Sequence, residues 1–366
     1  MELPPESQTE GPGQSSSPGT TAPATSPAPA APVPDAPAYR DRRTGLIVFG
    51  VFQIVMGLLA ALMIPFLMLG AFMSRLTPGA AMRPGQYISG VATYAFLAAA
   101  LLALGIGSTQ AKRWAYALTL VTSWYWLIIG ALITVLITAV LPVTFRSVLS
   151  QAQPGTSPPG LSTNVMAVML TVIIVFATFF LVLVPLAYVI FYTRKDVAET
   201  CRHRDPVERW TDRTPLPVLG ASVVLFTGAL YMLLTGATLP VFPFFGQYLT
   251  GVAAAVCFLV LAAVDICVAV ALFRRQPWGW WIAVLSTPIR LLSMALTYRR
   301  ADMMQAYSKM GWSDAQLQML NASPMFHSHV ILWWSLMALF LFFGYLVWLK
   351  RYFKTPAAPQ QEPLPA

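Results

Sequence analysis

The chain has 366 residues, 57% of them hydrophobic and only 10% charged, with a mean hydropathy of +0.65 and a formal charge of +9. A soluble domain carries about a quarter charged residues, so most of this chain must be solvated by lipid. The positive charge is spread over short loops instead of gathering into one solvated patch, which excludes a nucleic-acid binder and makes it a determinant of topology.

Residues 1–38 are Pro, Ala, Ser, Thr and Gly with almost no large apolar side chain. Such a segment cannot bury enough surface to offset its ordering entropy and is expected to be a disordered cytoplasmic tail. It lacks the basic start and apolar core of a signal peptide.

Eight apolar runs follow, near 45–69, 88–108, 114–141, 165–192, 215–239, 248–273, 279–298 and 328–349. Runs of roughly 20 residues cross a bilayer core, and without water each must satisfy its own backbone hydrogen bonds, which helices do. The expected fold is all-α, a polytopic protein of eight transmembrane helices.

Within the first run Gln53 stands about ten residues deep, and an interhelical hydrogen bond is its expected role. Trp124, Tyr125 and Trp126 in the third run are expected to join a packed core. Trp114, Trp278, Trp280, Trp281 and Trp348 fall near run ends and suit an aromatic belt. Pro65, Pro185 and Pro288 interrupt runs and are expected to kink helices for packing.

The segment 193–214 carries six basic and five acidic residues. That near-balance makes a poor lipid or nucleic-acid patch and reads as a solvated cytoplasmic linker, with room for a partner-binding face. Cys201 and His203 within it lack the further ligands zinc requires. The three cysteines, Cys201, Cys257 and Cys267, provide no disulfide framework.

Asp265 and Arg290 lie deep in the sixth and seventh runs. The short turn Arg274–Pro277 makes these runs antiparallel neighbours, so the acid and the guanidinium can meet. A lone charge at that depth costs several kcal/mol, which pairing or a wet cavity reduces. An ion pair fixing the register of one hairpin is favoured over an element of a solute or proton path.

In the outer loop 299–327, Ser313-Asp314-Ala315-Gln316 resembles a capping box before a short amphipathic helix on the membrane. Met303, Met304, Met310, Met319 and Met325, with His327 and His329, match no copper-ligand spacing. No metal site and no cofactor is assigned.

Sixteen basic residues fall on one side of an eight-span topology and six on the other, with Arg290 left inside. The positive-inside rule therefore predicts both termini in the cytoplasm of a cell with this protein in its (inner) membrane. The two halves also resemble each other. Arg43-Thr44-Gly45-Leu46-Ile47-Val48-Phe49-Gly50 matches Arg213-Thr214-Pro215-Leu216-Pro217-Val218-Leu219-Gly220 at five of eight positions. Lys112-Arg113-Trp114 parallels Gln276-Pro277-Trp278, and Tyr188 with Arg194 parallels Tyr345 with Arg351. A parallel 4+4 tandem repeat follows: 39–192, the linker 193–214, then 215–352, with 353–366 a second disordered cytoplasmic tail.

Three histidines and one deep carboxylate supply no catalytic constellation, and no phosphate loop or nucleophile motif occurs. The expectation is a non-catalytic accessory or scaffold protein of the membrane, meeting the lipid bilayer and a membrane or cytoplasmic protein partner. The alternative is a transporter for a small hydrophobic or amphipathic solute, with its site between the halves. The possible intramembrane polar site comprises Asp265, Arg290 and Gln53.

Overall fold

The computed structural model describes residues 40–76, 84–151, 163–238, 240–309, 312, 314, 317–318 and 328–353. Both expected tails lie outside them, apart from Phe353, and so does most of the segment 313–320 with its expected capping box and surface helix.

The described chain is mostly helical. In the first half, α1 (Arg43–Leu76), α2 (Pro84–Thr109) and α3 (Arg113–Gln151) are followed by α4 (Thr163–Thr178). A π-helical turn, Phe179–Leu183, carries α4 directly into α5 (Val184–Tyr192). The segment between the halves folds as α6 (Lys195–Arg204) and a 3₁₀ turn, Trp210–Arg213. Then come α7 (Leu216–Thr238), a two-stranded hairpin of β1 (Val241–Phe244) and β2 (Gln247–Thr250), α8 (Val252–Phe273) and α9 (Pro277–Arg300). The chain ends with α10 (Met303–Lys309) and α11 (Ser328–Leu349). Among the described residues, eight helical spans are long and apolar enough to cross a membrane, with α4 and α5 counting as one.

The hairpin is the exception to an all-α chain. It takes Tyr248 and Leu249 out of the expected sixth span, which starts at Val252 instead of 248. Its tight turn has positive φ at both Phe245 (40°) and Gly246 (104°), the conformation a two-residue hairpin loop needs. Gly meets that need readily, but Phe disguises it. Two hydroxyls one turn apart on α9 pin the hairpin: Phe245 N–H donates to Ser293 Oγ (3.1 Å) and Gly246 N–H to Thr297 Oγ1 (3.0 Å).

Small residues decide how closely the helices approach. Gly50 and Gly57 on α1 face Gly105 and Leu102 on α2, where an added Cβ would meet backbone atoms at about 3 Å or less. Close approach of this kind replaces the hydrophobic driving force that lipid removes. On α3, Gly130 lies against the carbonyl of Leu181 in the π-turn. A π-turn displaces a carbonyl from the regular ladder, and only a residue without a side chain fits against it.

The α2–α3 and α8–α9 turns are built alike. Ala111 N–H donates to Ser108 O (2.9 Å) and Lys112 N–H to Gly107 O (2.9 Å); Arg275 N–H donates to Leu272 O (2.8 Å) and Gln276 N–H to Ala271 O (2.8 Å). Both close on a left-handed residue, Ala111 (φ 53°) or Arg275 (φ 57°), which is a Schellman cap without its usual glycine. Gly107 meets the Cβ of Ala115 in the first turn, while Gly279 meets the Cβ of Ala271 in the second, the same contact with glycine and alanine exchanged.

Three clusters of buried apolar residues form among the described residues: one in each half and a third, Ala117, Val121 and Leu219, between α3 and α7. In the first half Leu46, Leu120, Val184, Tyr188 and Tyr192 pack together, with Tyr188 Oη donating to Phe49 O (2.7 Å) and Ser108 hydrogen-bonded to Tyr192. In the second half Val218, Leu225, Val268, Leu272, Trp280 and Leu346 pack together, with Tyr345 Oη donating to Pro217 O (2.5 Å). Trp280 is buried and its indole N–H donates to Leu346 O (2.7 Å), so it clamps α9 to α11 and is no belt residue. Trp278, Trp281 and Trp348 are exposed, as a belt requires. Trp124 and Tyr125 are also exposed and face outward, not into a core, while Trp126 packs against the first-half core. Pro65 and Pro288 lie inside continuous helices, and Pro185 follows the π-turn.

Candidate functional site

The tight turn between α8 and α9 fixes the register of the polar pair. Pro277 starts α9, where its missing N–H costs nothing, and the Ala271–Gly279 contact draws the two helices together. Asp265 then stands eight residues from the end of α8, about 12 Å from the turn, and Arg290 thirteen residues into α9, about 20 Å. Side chains tilt toward the N-terminus of their own helix. For α9 that is toward the turn and for α8 away from it, so the long guanidinium reaches back and the carboxylate reaches up. The difference in height closes.

The result is a two-pronged ion pair. Arg290 Nη1 donates to Asp265 Oδ2 at 2.8 Å and Nη2 to Oδ1 at 2.5 Å. Asp265 is buried, its side chain 6% exposed, against 22% for Arg290. Fork-to-fork pairing uses both carboxylate oxygens and is the geometry Arg, unlike Lys, can offer. Arg290 Nε is buried with no hydrogen-bond partner among the described residues.

The structure does not bring Gln53 into this arrangement. It belongs to the buried stripe Leu46, Gly50, Gln53, Gly57 and Ala60 on α1, in the other half. The expected interhelical hydrogen bond is not made through its carbonyl: Oε1 is buried with no donor among the described residues.

Sequence reasoning missed a second cluster. The segment 193–214 is not merely a solvated linker but a folded platform whose charges pair with one another and with the ends of the spans. Asp205 is 4% exposed and accepts from Arg209 Nη2 (2.8 Å), Arg209 Nε (3.1 Å) and the Arg113 backbone N–H (3.3 Å). Arg113 Nε stands 3.1 Å from Asp212, Arg42 pairs with Asp196 at 3.4 Å, and Arg204 with Asp41 at 2.9 Å. Arg42 N–H donates to Thr200 Oγ1 (3.0 Å), and Thr214 Oγ1 donates to Phe273 O (3.1 Å). The segment thereby ties α1, α3 and α8. The available signal was the near-equal count of acids and bases, together with the Asp205–Arg209 spacing of one helical turn.

Hydrogen bonds from Arg209 hold the Asp205 carboxyl below the usual carboxylate range, against the opposing effect of burial. Burial pushes the Cys201 thiol up to about 12, so it stays protonated and is a poor nucleophile or metal ligand. Among the described residues no three of His, Cys, Asp and Glu gather as metal ligands. Met310, Met319, Met325 and His327 lie outside the described residues, as does the side chain of His329.

A pocket of about 250 Å³ opens beside the platform, lined by Arg113, Tyr116, Cys201, Thr211 and Asp212 among others. A second, of about 300 Å³, is an apolar groove between α7 and α8 around Gly236 and Phe258. Neither includes Asp265 or Arg290.

These features define a multi-pass helical membrane protein. Comparison with family models, curated proteins and solved structures finds no match to this chain.

Proposed function

We propose that this chain is a non-catalytic accessory or scaffold protein of the cell (inner) membrane, with both termini cytoplasmic and two parallel four-helix repeats, 39–192 and 215–352, joined by the platform 193–214. The observation that carries the reading is the two-pronged closure of Asp265 on Arg290. Asp265 commits both carboxylate oxygens to Arg290, as a register lock does, and neither residue lines either pocket. A conducting site instead keeps polar groups open to its solute.

The repeat is supported by the paired Schellman turns, by the exchanged Gly–Ala contact within them, and by Tyr188 and Tyr345, each bonding a carbonyl near the start of its own half. A partner of the scaffold would meet the platform, where Val207 and Trp210 are exposed apolar residues beside charged neighbours.

Cysteine substitution at Ala262 and Thr287, buried positions one helical turn from Asp265 and Arg290, tests the reading. In right-side-out and inverted vesicles, a water-soluble thiol reagent is expected to label neither. Labelling of both from one side would reveal a wet cavity and reverse the preference in favour of the transport alternative.

A further inference from the structure

The cations on the α8–α9 turn side of the second half have no carboxylate to answer them. In the first half Arg42 and Arg113 pair with Asp196 and Asp212 of the platform. Arg274 and Arg275 just past α8, with Lys350 and Arg351 just past α11, are exposed and join no salt bridge among the described residues. Residues 215–353 contain three acids. Asp265 is committed to Arg290, and Asp302 and Asp314 follow the opposite end of α9.

Aromatic rings gather these cations instead. Lys350 Nζ stands 5.4 Å from the ring centroid of Trp280 and 5.7 Å from that of Trp281. The guanidinium carbon of Arg351 lies 3.8 Å from the centroid of Trp348 and 4.9 Å from that of Tyr352. Such contacts hold a cation in place without neutralising it. Arg275 Nη2 donates to Tyr352 O (3.4 Å), so the α8–α9 turn and the end of α11 share one collar. Arg275 also takes the left-handed position (φ 57°) where glycine is the ordinary choice, whereas its first-half counterpart is the neutral Ala111 (φ 53°). The chain keeps a cation at a site of backbone strain, as functional positions do.

We propose that this collar binds the headgroup phosphate of an acidic phospholipid. The three helices that meet there, α8, α9 and α11, are long and apolar enough to span, so their ends fall at the headgroup level of a bilayer. Arg351 donates one side-chain hydrogen bond, to Tyr352 Oη (3.0 Å), and its other N–H groups match phosphate oxygens in the two-pronged way Arg favours. From the collar an exposed apolar stripe, Trp281, Leu285, Ile289 and Leu292, runs down one face of α9 and offers a track for an acyl chain. An acidic peptide would match the charge but has no use for that track. The proposal needs only that the helices span a membrane; it holds whether the protein is an accessory or a carrier.

The test is native mass spectrometry of the full chain in a neutral detergent, titrated with dioleoyl phosphatidylglycerol or dioleoyl lecithin. The acidic lipid is expected to bind about tenfold more tightly than lecithin. Lys350→Gln with Arg351→Gln, both at exposed positions, should weaken its binding roughly tenfold. Arg275→Gly should weaken it as well while keeping the turn, which glycine suits. Arg194→Gln with Lys195→Gln removes the same charge from exposed positions beside the platform and should leave the affinity unchanged. Glycerophosphoglycerol, the same headgroup without acyl chains, should fail to compete at equal concentration. Equal affinity for the two lipids, equal loss with the Arg194/Lys195 variant, or full competition by the free headgroup would each overturn the proposal. The comparison of the two lipids uses the natural sequence and stands even if a variant folds poorly.

Discussion

Asp265→Ala alone is expected to lower the yield of folded, monodisperse protein sharply, and Arg290→Leu alone to do the same. Removing one member of a buried ion pair leaves the other uncompensated, which costs about 3–5 kcal/mol in soluble proteins. That is of the order of a whole domain's stability margin of about 5–15 kcal/mol. Replacing both, as Asp265→Leu with Arg290→Leu, removes the buried charges together and is expected to restore folded yield to the parental level or above it. Fluorescence-detected size exclusion of a tagged protein, with thermal challenge, reads all three variants in one experiment. If the double variant folds as poorly as the singles, the pair does more than balance itself, and the register-lock account fails.

Asp205→Asn is the second large effect. The buried carboxylate accepts three hydrogen bonds, two of them from Arg209, and bonds to charged groups are worth about 1.5–3 kcal/mol each. With Arg209 partly exposed and screened, a loss of about 2 kcal/mol overall is expected, read as a lower melting temperature at neutral pH. The pH dependence carries a definite sign. The folded-state pKa lies below the ordinary 3.8, so the contribution is present above that value and is lost as pH falls through the lowered one. The difference between parent and variant should therefore be full at neutral pH and shrink only below about pH 4. A difference that vanishes between pH 6 and pH 8 would assign the effect to some other group.

Much of this architecture is legible in the sequence, because lipid imposes one dominant rule. Uncharged runs become helices, and the end of each is announced by Arg, Lys, Pro or Trp, as at Lys112–Trp114 and Arg274–Trp278. The Asp265–Arg290 contact is legible for the same reason: a tight turn leaves two deep opposite charges few alternatives to each other. Other features depend on packing that no single segment encodes. The hairpin at 241–250 was hidden because Phe-Gly replaces the usual Asn-Gly or Asp-Gly signal, and its anchors lie some fifty residues on, at Ser293 and Thr297. Trp280 resembled its neighbour Trp281 until its indole found Leu346 O on a helix more than sixty residues away. In the platform, charge balance was visible, but the partners of Asp205 and Arg113 depend on how α3 and α6 dock. Gln53 carries the opposite lesson. Residue type suggested a hydrogen bond, and among the described residues its buried oxygen finds no donor.

An even number of crossings underlies the proposed duplication of the halves and the proposed cytoplasmic side of the segment 193–214. Reporter fusions at the two ends, alkaline phosphatase active only outside the cytoplasm and green fluorescent protein only within it, measure that parity directly. The account predicts fluorescence and no phosphatase activity from both ends. Phosphatase activity at one end with fluorescence at the other would contradict it.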